Sequence, residues 1–528
     1  MVKKLLALTL ALVMCLSILA GCQQDPVDTN PPETTAPSDT TAPADTTAPT
    51  EPEPTEYTFP AGATIDVWTS NDYSGTMLEE FQSNATGLNV EYIVAGETEY
   101  YAALTREVTP SLIWGWLNPT NNDYGRLGAY VNFFDYEEMM PNFFAKYYEN
   151  PVVHDWFQLS DDELYMAPAF PNGDVAYGAF IYREDLFAEA GITEMPTDWE
   201  SFYNVLKTLK AKYPDKYPLA LRELNNAALS LFPRFAQMWG ANYDTVNFLT
   251  LNPEDGTYYE AAITDEFRQM LKHLKQLLDE GLMHPGSMGF STADWMAVMT
   301  SGEAIITHDK AFQISGMEEA GKELNENYSL SWFHNIPMVE SDLPYSVEQG
   351  VHTSGYMISN RCPDIELAVR YLDWLYTEEG SLAGSWGEQG VSYDLDENGN
   401  KYFLDSFPAD QRGKMASYSH TPNVDFTATL ATYSEKAQKA ALETMEQAAN
   451  GGLVQDPTLS HSADGQAIVT TYIVGYRDTR SAYIQKFLLG QLDINDDADW
   501  QAFKDDLVAN GFNELKAVYE ESYQRMFG

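Results

Sequence analysis

Trp68, Asn71, Trp116, Asn118 and Asp123 bring flat apolar rings and planar polar groups together beside the ends of predicted strands. That pairing suits the capture of a sugar. A ring that buries about 150–250 Å² can cover the carbon–hydrogen face of a pyranose, while amides and carboxylates pair its hydroxyls. The chain holds 11 Trp and 33 Tyr, more than packing alone obviously requires. Core packing is the competing use of every ring, and Trp199 and Trp374 on apolar helix faces read as core.

Other chemistries find less support. There is no H-E-x-x-H; Gly413-Lys414 lacks the earlier glycine and the Ser/Thr of a phosphate-binding loop; Gly286-Ser287-Met288-Gly289 is not a G-x-S-x-G elbow. The chain is therefore read as a binding protein without a cofactor, not an enzyme. A glycoside hydrolase is the rival, since two carboxylates about 5–9.5 Å apart would serve it and 79 Asp and Glu are present. Asp394, Asp396, Asn398 and Asp405 fit the spacing of a calcium loop, with Asp at the twelfth position in place of Glu. The favoured reading of that stretch is a β-hairpin turning at Asn398-Gly399, with no metal bound.

The elements that must position these residues alternate. Thr64–Trp68 and 88–94 read as strands with a helix between them that ends at Gly87, and Leu112–Trp114 reads as a third strand after a helix at 98–107. This order predicts a parallel sheet covered by helices, with ligand beyond the carboxyl ends of its strands. Thr197 and Glu200 suggest a capping box for the following helix. Apolar positions from Phe267 to Leu278 predict a helix over 265–280. Strands follow at 302–306 and 355–359, then a helix over 364–379 closed by Gly380, and the last 60 residues or so read as helical with a turn at 495–497.

The start of the chain states where it goes. Lys3 and Lys4, an apolar run from Leu5 to Ala20, and Leu19-Ala20-Gly21-Cys22 form a secretory signal that resembles a bacterial lipobox. Residues 1–21 would be removed and Cys22 would carry lipid. Residues 22–59, with repeats of Thr-Thr-Ala-Pro at 34, 40 and 46, read as a disordered linker, which extended proline-rich backbone could stretch to on the order of 100 Å. With a net charge of −49 the chain is ill suited to nucleic acid; neutral or cationic ligands fit it better. Once Cys15 leaves and Cys22 takes lipid, Cys362 stands alone and no intramolecular disulfide is available.

Tyr182-Arg183-Glu184-Asp185-Leu186-Phe187, Ala190-Gly191-Ile192 and Pro196-Thr197-Asp198-Trp199-Glu200-Ser201-Phe202 resemble the second-lobe entry of family 1 extracellular solute-binding proteins. Gly302-Glu303-Ala304-Ile305-Ile306 is similar to a later strand of that family. Leu372–Gly380, Gly390–Tyr393 with Asp396–Gly399, Lys486–Gly490 and Tyr523-Gln524-Arg525 resemble its oligosaccharide-binding branch. The resemblance implies an α/β fold of two discontinuous lobes, 60–167 with 355–415 and 168–354 with 416–528, and a ligand cleft between them. It implies a monomer, lipid-anchored on the outer face of the bacterial cytoplasmic membrane, that delivers an oligosaccharide or other small neutral solute to ABC importer permease subunits. A glycan-binding sensor or adhesin is the reading without transport. Trp239, Asp309, Phe312, His352 and Trp386 join the ligand-binding candidates. Where relatives often carry a charged pair after the third strand, this chain has Asn118-Pro119-Thr120-Asn121-Asn122-Asp123, which leaves the identity of the sugar open.

Overall fold

The computed structural model describes residues 57–527 except 107–108, 161, 171–177, 223–231, 244–247, 253–254, 341–346, 349–352, 450–452, 455–458 and 460. The expected signal, Cys22 and most of the linker lie outside the described residues, as does His352. Among the described residues no helix is long and apolar enough to cross a membrane.

β1 (Thr64–Thr69) alternates, burying Ile65 and Val67. α1 (Met77–Thr86) ends at Gly87, whose φ of +73° is one that side-chain-bearing residues rarely adopt. β2 (Asn89–Val94) and β3 (Leu112–Trp116), with α2 (Glu97–Ala103) between them, pair with β1 on either side, both parallel. α3 (Pro119–Arg126) follows β3 directly, and the short strand β4 (Ala167–Pro168) ends this run. β5 (Gly178–Arg183), buried along its whole length, opens the next.

α4 (Trp199–Lys212) starts one residue later than Thr197 would set it. Asp198 is the N-cap: its carboxylate accepts the Ser201 N–H at 2.8 Å, and the Ser201 hydroxyl accepts the Asp198 N–H at 3.1 Å. β6 (Tyr217–Leu219), α5 (Asp265–Asp279), β7 (Ala304–Lys310), α6 (Gln313–Leu324), β8 (Leu330–Phe333) and β9 (Ser354–Ile358) come next. The helix expected over 364–379 is two, α7 (Ile365–Trp374) and α8 (Glu378–Ser385). Thr377 caps the second, its hydroxyl accepting the Gly380 N–H at 3.0 Å. Gly380 therefore closes no helix. It sits inside α8 because a Cβ there would lie 2.2 Å from the Trp374 carbonyl oxygen. The hairpin β10 (Tyr393–Leu395) and β11 (Lys401–Phe403), α9 (Phe426–Ala431), and a helical C-terminal region of α10 (Ala463–Leu488), α11 (Asp497–Ala509) and α12 (Phe512–Phe527) complete the main elements.

Two sheets organise the chain. The first runs β2-β1-β3-β9-β4, with β9 antiparallel to both its neighbours. Its core includes Val67, Ile113, Phe143, Tyr356, Tyr371 and Trp374. The second runs β8-β5-β7-β6 and is covered on both faces. Phe180 and Ile306 face a core with Phe202, Phe267 and Phe487. Ala179 and Ile181 face another with Trp295, Met317 and Ala440.

Candidate functional site

The crossings between the two sheets fix which edges matter. Trp116, the last residue of β3, pairs with Ser354, the first of β9; Gly355 pairs with Pro168 at the end of β4. In the second sheet Gly178, where β5 begins, pairs with Lys310, where β7 ends, and Phe333 at the end of β8 pairs with Phe180. The connecting segments thus leave each sheet from the carboxyl edge of its parallel strands, where ligands of such sheets sit.

On the first edge Trp116 is 48% exposed. The buried ring of Trp114 packs edge-on against it, centroids 5.3 Å apart. Asn121 fixes the backbone here, its Nδ2 donating to the Trp116 carbonyl at 2.8 Å and its Oδ1 accepting the Tyr130 hydroxyl at 3.2 Å. Asn118 is committed to structure. Its Oδ1 accepts the Asn121 N–H at 2.8 Å as the cap of α3, and its Nδ2 donates to Glu97 at 3.2 Å. Asp123, half-buried on α3, has its pKa raised by burial against the pull of Arg126. Asn71 is exposed and donates to Ser419 Oγ at 2.8 Å, and that hydroxyl also meets Tyr73 at 2.7 Å and Ser417 at 2.9 Å. Trp68 leans back along its strand: its indole N–H donates to Asp66 at 2.9 Å, whose other oxygen accepts the Ser111 N–H at 3.0 Å.

On the second edge Asp309 is fully buried and held by Arg222 through two bonds, Nε–Oδ2 at 2.6 Å and Nη2–Oδ1 at 3.0 Å. Burial raises its pKa and the guanidinium opposes the rise. The guanidinium also donates to Thr292 at 2.8 Å and lies 4.6 Å from the centroid of the Trp295 ring. Asp309 was expected to meet a sugar hydroxyl; its oxygens are spent on Arg222 and on the Lys310 N–H, at 2.7 Å. Phe312 is half-buried and stacked on Tyr433, with centroids 5.3 Å and planes 11° apart.

Two expected platforms belong to the core. Trp239 is 0% exposed: its indole N–H donates to His273 Nδ1 at 3.0 Å, and Phe235 and Trp199 pack against it. Trp386 is likewise buried, donating to Asp425 at 2.8 Å with Phe403 4.7 Å away. A concavity of about 820 Å³ is lined by Lys146, Glu378, Tyr393, Lys401 and Asp425 among others, and by Tyr376, whose hydroxyl donates to the Pro168 carbonyl at 2.7 Å. The 394–405 stretch forms the hairpin. Asp394 and Leu395 pair with Tyr402 and Lys401, and the Asp396 carboxylate accepts the Asn398 and Asn400 N–H groups, both at 2.8 Å. No group of three or more His, Cys, Asp or Glu among the described residues could hold a metal ion.

Sequence reasoning placed Trp114 in a strand but did not name it, or Ser419, Arg222 and Tyr433, among the candidates. Trp114 carried a signal, lying two residues before Trp116 on one face of a strand. The other three reach these edges through contacts distant in sequence.

Two α/β halves threaded by several crossings, with the carboxyl edge of each turned to those crossings, define a two-lobed solute-binding fold. The chain belongs to the family of bacterial extracellular solute-binding proteins, whose model matches residues 69–381. Lipoprotein LipO of Bacillus subtilis (strain 168) is 25% identical over 271 residues, 47% of this chain and 52% of LipO. The chain thus spans about half the length of that curated relative. The alginate-binding protein AlgQ2, in a crystal structure without calcium ion, superimposes with a TM-score of 0.70 at 17% identity, covering 89% of this chain and 99% of that one. The Streptococcus pneumoniae ABC-transporter substrate-binding protein FusA in complex with kestose gives 0.66 at 15%, covering 88% and 99%. A solute-binding protein from Bifidobacterium longum infantis, described as HMO-binding and ABC-transporter-associated, gives 0.65 at 14%, with the same coverage. These likenesses establish the fold, and the family and these relatives are binding proteins.

Proposed function

We propose that this protein captures a neutral oligosaccharide between its lobes and hands it to ABC importer permease subunits, held outside the cytoplasmic membrane by lipid on Cys22. The lobes are taken as 60–167 with 355–415 and 168–354 with 416–528, and the protein as a monomer. One observation carries the reading: Trp116 keeps nearly half its surface in solvent at the carboxyl edge of a parallel sheet, backed by Trp114 and braced by Asn121. An exposed indole at that place, backed by a second ring, suits an apolar sugar face. Neutrality of the ligand is supported by charge. Arg222, a guanidinium at the second edge, is paired with buried Asp309, and the chain as a whole is strongly acidic.

The test is an array of neutral and uronic-acid oligosaccharides probed with the purified mature chain, followed by titration. Binding of a neutral oligosaccharide, left chemically intact, is expected. Trp116→Ala should weaken it by at least ~2 kcal/mol, about 30-fold. Release of reducing ends in proportion to protein concentration would turn the reading to a hydrolase, and wild-type binding unaffected by Trp116→Ala would remove the indole from the site.

A further inference from the structure

α9 and the residues after it belong to both lobes. Ala428 and Ala431 pack into the core of the first sheet, while Phe426, Leu430 and Tyr433 pack with Trp295, Ile314 and Met317 beneath the second. The Ser434 N–H donates to Ser315 Oγ at 2.9 Å, and Gln438 Nε2 donates to the Tyr433 carbonyl at 2.9 Å. The backbone carrying Tyr433 is therefore pinned to the start of α6.

The Tyr433 ring lies flat on Phe312, and both are half-buried. Phe312 stands two residues past Lys310, the end of β7, which pairs with the residue where the chain enters from the first lobe. The stacked pair is thus an aromatic wall at the crossing edge of the second lobe, whose Trp239 is buried in its core.

Resting on the oligosaccharide reading, we propose that Tyr433, with Phe312 beneath it, contacts the ligand and is the second lobe's counterpart of Trp116. The ligand class is then a neutral oligosaccharide that offers an apolar ring face to each lobe. Tyr433 is held to the second lobe by the Phe312 stack and the Ser434–Ser315 bond, so it moves with that lobe and its contact with a ligand seated on Trp116 forms as the lobes come together. It supplies the differential interaction that favours the closed arrangement.

The experiment uses the mature chain and the neutral tri- to pentasaccharide that binds it most tightly on the array. Tyr433→Ala, Tyr433→Phe, Phe312→Ala and Trp116→Ala are titrated with it, melted without it, and measured by small-angle scattering at equal saturation. Tyr433→Ala should lose about 10- to 30-fold in affinity, and its ligand-induced contraction should shrink. Tyr433→Phe, which keeps the ring, should stay within about threefold. Phe312→Ala combined with Tyr433→Ala should lose less than the two single losses multiplied, since the rings act as one surface. Wild-type affinity in a folded Tyr433→Ala protein overturns the assignment, as does a fall in ligand-free melting with affinity unchanged, which returns the ring to packing. If Trp116→Ala weakens binding while Tyr433→Ala does not, this inference alone fails. If the wild-type chain binds no oligosaccharide, the capture reading fails and this inference with it.

Discussion

Burial decides what each indole can do. Trp116 is 48% exposed and Trp239 0%, so removing them should have opposite consequences. Trp239→Ala should cost about 3–5 kcal/mol of stability, read by denaturant unfolding, with ligand affinity of the folded fraction kept. Trp116→Ala should change unfolding by less than about 1 kcal/mol and show its effect in titration. Two buried imidazoles set a pH dependence. Burial pushes His420 and His461 down to about 4, with Arg525 adding to the effect at His461. Their unfolded-state pKa is near 6.5, so between pH 6.5 and 4 the unfolded chain binds more protons than the folded one. Stability present above pH 6.5 is then lost as pH falls through that window, by up to about 3 kcal/mol for each histidine. Substituting either by Gln should flatten melting temperature against pH over this range, relative to the wild-type slope. An unchanged slope would mean that the imidazoles protonate as easily folded as unfolded.

At the scale of elements, the close approach of α8 to the end of α7 turns on one glycine. Alanine is about 1 kcal/mol better than glycine inside a helix, and by propensity alone Gly380→Ala should stabilise α8. The Trp374 carbonyl oxygen lies 2.2 Å from where that methyl would go, and backbone there cannot yield as a flexible side chain would. Gly380→Ala should therefore destabilise the first lobe by about 1–3 kcal/mol, measured by denaturant unfolding. A neutral or stabilising result would show that α8 slides freely over the end of α7. The sequence pattern located this region as helical but joined two helices, because apolar spacing continues across Leu375-Tyr376-Thr377 while the turn depends on Thr377 capping its own N-terminus. The capping box of α4 shows the same limit. Thr197 and Asp198 are both good caps by type, and the choice between them is made by Ser201.

For the whole molecule, capture and tethering are separable. Ligand at 100 times its dissociation constant should add about 2.7 kcal/mol to the stability of the folded chain, read as a concentration-dependent rise in melting temperature. Cys22→Ala should release the protein from the membrane fraction, or leave it unprocessed, while purified protein binds the same oligosaccharide with unchanged affinity; normal processing and membrane retention of that variant would sink the lipid anchor. The sequence by itself determined the alternation of strands and helices, the parallel order of β1, β2 and β3, and the strand end at which Trp116 stands. The first and the last are local, readable from apolar period and from residues such as Gly87, and the parallel order follows from the strand–helix–strand connections. The tertiary structure decided which side chains remained available. Asp309 is spent on Arg222, 87 positions away; Trp386 is spent on Asp425, 39 positions away; Phe312 acquires Tyr433 as a partner only because α9 brings the chain back against α6. An apolar ring or a carboxylate looks the same in sequence whether a core or a cleft receives it. Which of the two it meets depends on burial by segments far along the chain, and no local pattern carries that information.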